Sequence, residues 1–278
     1  MRYDYRIVNV FAEAPLEGNP LAVFEDAEGL DDATMQALAL QFNLSETTFV
    51  LPSEHATARV RIFTPTFEMA FAGHPTLGTA HVVRELKQAG PGVTLEMRAG
   101  VIPVHAHGDV WTLQANAPKH RAPEASREQL AQALGLTARD LAEAPALWVD
   151  TGSDQLVIPL ASPQAVKQAA PDAQLLQRHA SNGTRSMAYV FARNDDRVVA
   201  RFFFPKHGAI LEDPGTGSAC ANLGGWLLAT QAPLPQKLVV HQGEAVGRPC
   251  WLGLEITADR RILVSGRVIE LGRGFVEL

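Results

Sequence analysis

Two glycine-rich turns carry ionisable side chains. One is Phe71-Ala72-Gly73-His74-Pro75-Thr76-Leu77-Gly78-Thr79-Ala80, and the other is Glu212-Asp213-Pro214-Gly215-Thr216-Gly217-Ser218-Ala219-Cys220. Each brings small residues to the predicted start of a helix. There the first backbone N–H groups lack partners and the helix dipole is positive. Glycine lets a ligand approach that backbone closely. Such an end binds carboxylate or phosphate without a Lys or Arg. No Lys-Ser/Thr follows Gly215-Thr216-Gly217-Ser218, so there is no nucleotide P-loop. One such turn alone is ordinarily just a turn. Two of them, with His74 and Asp213, point to a shared carboxylate site.

Proton chemistry needs a base, and Glu46 in Ser45-Glu46-Thr47-Thr48 is the candidate. A carboxylate flanked by hydroxyls just before an apolar strand can be held and partly desolvated, which raises its proton affinity and suits it to general acid–base work. Taken alone, the commoner role of such a glutamate is in a turn or cap. His105 and His107 share a strand face but have no third ligand at metal spacing, so no metal site is expected. Cys220 reads as a buried packing residue, since a nucleophile would need an activating base. His55, His81, His120, His179, His207 and His241 form no motif.

The elements that must position these residues follow from the pattern. Strands are predicted over 6–11, 21–24, 44–51 and 58–63. A helix capped by Asp31 carries Met35, Leu38, Ala39 and Phe42 on one face. The turn at Gly73-His74-Pro75-Thr76 opens a helix over 77–86. Residues 117–124 read as a polar linker. Ser126 to Gln129 and Thr137 to Asp140 each have capping-box spacing and predict two short helices. Strands return over 147–149, 155–159, 187–191 and 198–204, followed by a buried helix over 219–228 and C-terminal strands.

The halves echo each other at an offset of 140: Arg61 and Arg201, Phe63 and Phe203, Pro65 and Pro205, Thr76 and Thr216. Strand, proline, spacer, glycine turn and helix recur in that order, which predicts an internal duplication. At this offset Glu46 falls on Ser186, so the base exists in one half only. The expected domains are 1–117, completed by 268–278, and 118–267.

Composition narrows the classes. The 278 residues are 46% hydrophobic and 19% charged, enough for two cored domains. A net charge of −6 argues against nucleic acid as partner. Two cysteines exclude a disulfide framework and a cysteine zinc site. The uncharged stretch from Pro214 to Gln236 is broken by glycines and prolines, so no membrane span is expected. The charged N-terminus reads as neither signal nor transit peptide, so a cytoplasmic protein is expected.

Gly18-Asn19-Pro20-Leu21-Ala22-Val23, Asn43-Leu44-Ser45-Glu46-Thr47-Thr48-Phe49, Phe71-Ala72-Gly73-His74-Pro75-Thr76 and Asp213-Pro214-Gly215-Thr216-Gly217-Ser218 together closely resemble the signatures of the PhzF family, named for phenazine biosynthesis. The resemblance implies an α/β, diaminopimelate epimerase-like fold: two similar domains, each a mixed sheet curled around a central helix, with the active site in the cleft between them. It implies a cofactor- and metal-independent isomerase, a homodimer, acting on a small carboxylate-bearing substrate like trans-2,3-dihydro-3-hydroxyanthranilate. Glu46 would shuttle the proton, and His74 and Asp213 would bind substrate and assist. Ser45, Gly73, Gly215, Thr216, Gly217 and Ser218 complete the expected substrate-binding set. The alternatives are an epimerase, racemase or lyase using the same carboxylate, or a non-catalytic binder of small acids. The epimerases of the wider fold use a cysteine at each turn; these turns place none there, which disfavours two-cysteine racemisation.

Overall fold

The computed structural model describes residues 1–206 and 208–278, so His207 lies outside the described residues. The chain forms two compact units, Met1–Gln114 with Ser265–Leu278, and Ala115–Val264.

The first unit contains β1 (Arg2–Val10), β2 (Asn19–Phe24), α1 (Asp32–Phe42), β3 (Glu46–Leu51), β4 (Ala58–Phe63), β5 (Glu68–Met69), α2 (Gly73–Leu86), β6 (Gly92–Met97), β7 (Gly100–His107) and β8 (Val110–Gln114). The second contains β9 (Lys119–Arg121), α3 (Arg127–Ala133), β10 (Leu147–Asp150), β11 (Asp154–Pro159), α4 (Pro163–Gln168), α5 (Ala173–His179), β12 (Ala188–Asn194), β13 (Arg197–Lys206), β14 (Ala209–Asp213), α6 (Gly217–Ala229), β15 (Gln236–Gln242) and β16 (Cys250–Ile256). The last strand, β17 (Ile262–Glu277), returns to the first unit and pairs antiparallel with β1.

In the first unit α2 packs against β1, β2, β3, β4, β6, β7 and β8. In the second α6 packs against β9, β10, β11 and β16. Small residues make both positions possible. In α6, Ala219, Cys220, Ala221 and Asn222 are buried, and Gly224 and Gly225 let the sheet close on the helix: a Cβ at these positions would stand 2.8 Å from Ile262 Cγ2 and 2.7 Å from Val149 Cγ1. In α2, Gly78 lets the helix close on β1 and β2: a Cβ there would stand 2.7 Å from Leu21 Cδ2 and 2.9 Å from Val10 Cγ2. Helix α1 lies where its pattern predicts, with Asp31 accepting from the Thr34 N–H and Met35, Leu38 and Ala39 buried.

The strand ladders of the units match step for step. In the first, β1–β2 is antiparallel, β2–β3 parallel, β3–β4 antiparallel, and β4 pairs with β5 antiparallel and with β6 parallel. In the second, β10–β11 is antiparallel, β11–β12 parallel, β12–β13 antiparallel, and β13 pairs with β14 antiparallel and with β15 parallel. Arg61 sits opposite Phe49 and Arg201 opposite Val190. Phe63 sits opposite Glu68 and Phe203 opposite Glu212. Both arginines fork onto that glutamate and lie over the ring two residues on, at 5.0 Å from the Phe63 centroid and 4.5 Å from that of Phe203.

This register corrects the single offset of 140. It holds for β4 and β13, but the second hairpin is four residues longer, so Glu68 matches Glu212 and the helix starts Gly73 and Gly217 match at 144. Hence His74 corresponds to Ser218, and Asp213 corresponds to Met69. On the β3 side the offset is 141, and Glu46 corresponds to Met187.

Two local expectations differ from the structure. The polar run 117–124 contains β9, an exposed edge strand paired with β10. The capping-box spacing at Thr137 makes only one 3-10 turn, Ala138–Asp140. Leu141 and Ala142 are drawn out of the helix path by a bridge to Leu160 and a backbone bond to Pro159.

Candidate active site

The sequence-predicted residues fall into two groups, one in each unit. In the first, β3 starts at Glu46 and α2 starts at Gly73, so His74 and Pro75 belong to the first turn of the helix itself. This places His74 Nε2 3.5 Å from Glu46 Oε2, with the side chains only 7% and 15% exposed. Behind the ring, Asn19 at the start of β2 brings its amide nitrogen to 3.4 Å from Nδ1. Burial pushes the imidazole pKa down to about 3, and a hydrogen bond to the Pro20 carbonyl opposes this only partly. His74 is therefore neutral at ordinary pH. A neutral imidazole can accept a hydrogen bond from a protonated carboxyl group or donate one to a carboxylate, so the ring can face Glu46 in either state without itself becoming charged. Ser45 stands exposed in the bend before β3.

In the second unit, Asp213 ends β14 and Thr216 precedes α6. Thr216 Oγ1 donates to Asp213 Oδ2 at 2.5 Å. Gln242, buried at the end of β15, braces the turn: its Nε2 donates to the Asp213 carbonyl at 2.8 Å and to Thr216 Oγ1 at 3.0 Å. Its Oε1 accepts from the Thr216 N–H at 3.3 Å. Gly215 and Gly217 are buried in this turn, and Ser218, half-buried, is the second residue of α6.

The caps divide the helices into two kinds. Asp31, Ser126, Ser162 and Asp172 cap α1, α3, α4 and α5 with side-chain oxygens. The residues preceding α2 and α6, Ala72 and Thr216, make no such cap bond. The two helices that open at the glycine turns thus keep donors that other helices give to a cap.

Three polar residues that sequence reasoning left unassigned belong to these groups: Asn19, Gln155 and Gln242. Gln242 had a signal, because Leu238 and Val240 point inward on β15 and Gln242 takes the next inward position. Cys220 is buried and its thiol is pushed up by burial, which suits packing and not nucleophilic attack. His105 and His107 are exposed on β7, and among the described residues no group of three or more His, Cys, Asp or Glu could hold a metal ion.

The model of the phenazine biosynthesis-like protein family, PhzC-PhzF, matches residues 8–274. The chain belongs to this family. An uncharacterized isomerase of Pasteurella multocida is 39% identical, across 98% of this chain and 93% of its own length. The trans-2,3-dihydro-3-hydroxyanthranilate isomerase of Pseudomonas fluorescens is 35% identical, across 99% of this chain and all of its own. A solved PhzF-family structure from Bacillus anthracis superposes with a TM-score of 0.89 over all of both chains at 24% identity, a likeness of fold. The PhzF-like chain is therefore an α/β protein of the diaminopimelate epimerase-like class and an isomerase. Among its described residues no helix is long and apolar enough to cross a membrane.

Proposed function

We propose that this chain moves a proton and a double bond within a small carboxylate-bearing substrate of the trans-2,3-dihydro-3-hydroxyanthranilate type, by general acid–base catalysis without a cofactor. The observation that carries the reading is the Glu46–His74 pair, a half-buried carboxyl group 3.5 Å from a neutral imidazole. Glu46 takes the proton from an sp3 carbon next to the double bond. The C–H pair becomes the new π bond, the old π pair shifts to its far carbon, and the proton returns there. Nothing is oxidised or reduced overall. His74 and Asp213 bind the substrate and assist the proton. Ser45 and the N–H and hydroxyl donors of Gly73, Gly215, Thr216, Gly217 and Ser218 hold its polar groups, helped by the uncapped helix ends.

The test is Glu46→Gln, which keeps size and hydrogen bonding but removes the titratable group. Turnover of trans-2,3-dihydro-3-hydroxyanthranilate should fall about 10²–10⁴-fold, with fold and substrate binding retained. In deuterated solvent the wild type should place deuterium in the product and the variant should not. Wild-type turnover by the glutamine variant would make Glu46 structural. Inversion of a stereocentre without movement of the double bond would make the enzyme an epimerase.

A further inference from the structure

A buried chain of amides stands behind Ser218. Asn222 Oδ1 accepts from the Thr151 N–H at 3.0 Å and from its hydroxyl at 2.7 Å. Asn222 Nδ2 donates to the Ser153 carbonyl at 2.7 Å and to Gln155 Oε1 at 2.8 Å. Gln155 Nε2 then donates to Ser218 Oγ at 3.0 Å. Asn222, Gln155 and Thr151 are 0%, 4% and 7% exposed.

The direction of these bonds is fixed. A backbone N–H can only donate and a backbone carbonyl can only accept, so Thr151 and Ser153 set which end of the Asn222 amide is which. That fixes Gln155, and Gln155 in turn must donate to the serine. Ser218 Oγ accepts from behind, and its own proton remains for a partner on the other side.

The fold does not require this chain. By ladder register, Gln155 on β11 corresponds to Leu21 on β2, because Val149 faces one and Val8 the other. Thr151 then corresponds to Val10, and Asn222 on α6 to Gly78 on α2. In the first unit those three positions are apolar and in contact, with Leu21 and Val10 methyls against Gly78. The same architecture is thus built once with methyl groups and once with amides. Buried amides cost desolvation that methyl groups do not. Their distinguishing consequence is the state of Ser218.

We propose that Gln155 and Asn222, held by Thr151, are positioning residues that lock the Ser218 hydroxyl as a hydrogen-bond donor, so that this place selects a ligand group offering only lone pairs, a carboxylate, over one offering N–H. The proposal rests on the reading that the substrate carries a carboxylate.

The experiment measures binding of anthranilate and its amide, anthranilamide, by calorimetric titration. Wild type should prefer anthranilate. The triple variant Thr151→Val, Gln155→Leu, Asn222→Gly installs the first unit's apolar set, and circular dichroism checks its fold. It should bind anthranilate about 10- to 100-fold more weakly, the worth of a hydrogen bond to a charged group, and lose the preference over the amide. For the isomerase reaction KM should rise more than kcat falls. Should the triple variant fail to fold, isosteric Gln155→Glu carries the test: its carboxylate accepts a hydrogen bond from the serine hydroxyl, leaves Oγ as an acceptor on its other side, and should move the preference toward anthranilamide. Variants that keep the wild-type preference overturn the proposal and leave the carboxylate reading standing. A wild type indifferent between the two ligands overturns the carboxylate reading and the proposal with it.

Discussion

Corresponding positions in the two units have been put to different uses. Where the first unit has Glu46 and His74, the second has Met187 and Ser218. Where the second has Asp213, the first has Met69. The Arg61–Glu68 and Arg201–Glu212 forks, by contrast, are the same device in the same register. The repeat therefore separates what the architecture needs from what a site needs. The forked ion pair and the glycine-started helix appear twice. The Glu46–His74 pair appears once, in the first unit, and the amide-backed serine once, in the second.

The largest stability effect expected from this comparison is at Arg6. Its guanidinium, 3% exposed, meets Glu25 at 2.6 Å, Glu85 at 2.5 Å and Glu270 at 3.0 Å. Burial alone would lower its pKa, but the three carboxylates outweigh that and raise it. The corresponding position in the second unit is Leu147, which faces Val157 as Arg6 faces Val23. Arg6→Leu transplants the apolar solution but leaves three carboxylates gathered without their shared cation. Urea unfolding should show a loss of about 3–5 kcal/mol, the cost of removing one partner of a buried ion pair. A loss under 1 kcal/mol would mean that Arg273, which also bonds Glu85 and Glu270, holds the cluster unaided.

What could be read from the sequence was what local signals encode. The caps at Asp31 and Ser126, the buried helix and the two glycine turns are each set by a few neighbouring residues. The sequence pattern starts these two helices two to four residues late, so it does not show that His74 and Ser218 hold the same place on them. The lengthened hairpin blurred the repeat for the same reason: one offset cannot describe two halves with an insertion between them. The amide chain was illegible because Gln155 and Asn222 lie 67 residues apart and only the fold brings them together. Asn19 is visible as part of a motif, but its place beside the His74 ring needs the packing of α2 on β2 that sets it there.

A smaller effect sharpens the comparison of the two arginine forks. Arg201 also donates to the carbonyls of Val166, Lys167 and Ala169 at the end of α4, whereas Arg61 adds Asp32, which is 85% exposed. Lysine cannot reproduce the fork in either place, but at 201 it would also leave the carbonyls at the end of α4 without that donor. Arg201→Lys should therefore cost about 1–3 kcal/mol, and Arg61→Lys about 1 kcal/mol less, since a contact to an exposed carboxylate contributes little. Equal losses in parallel unfolding experiments would show that the helix-end bonds add nothing.

A third difference is a pH dependence that His74 brings to the first unit, because its counterpart Ser218 does not titrate where His74 does. In the unfolded chain His74 takes up a proton near its ordinary value of about 6.5. In the fold, burial holds it down to about 3. Between those values the unfolded state binds more protons than the native state, so stability rises with pH across the window. The contribution is fully present above about 6.5 and is lost progressively as pH falls toward 3. His74→Asn removes the titrating group while keeping a polar side chain. Urea unfolding at pH 7 and pH 5 should show the wild type losing more stability than the variant, by about 2 kcal/mol, the linkage expected for one proton over one and a half pH units. Identical losses would mean that the imidazole becomes charged within the fold in this range, and the neutral partner assigned to Glu46 would go with it.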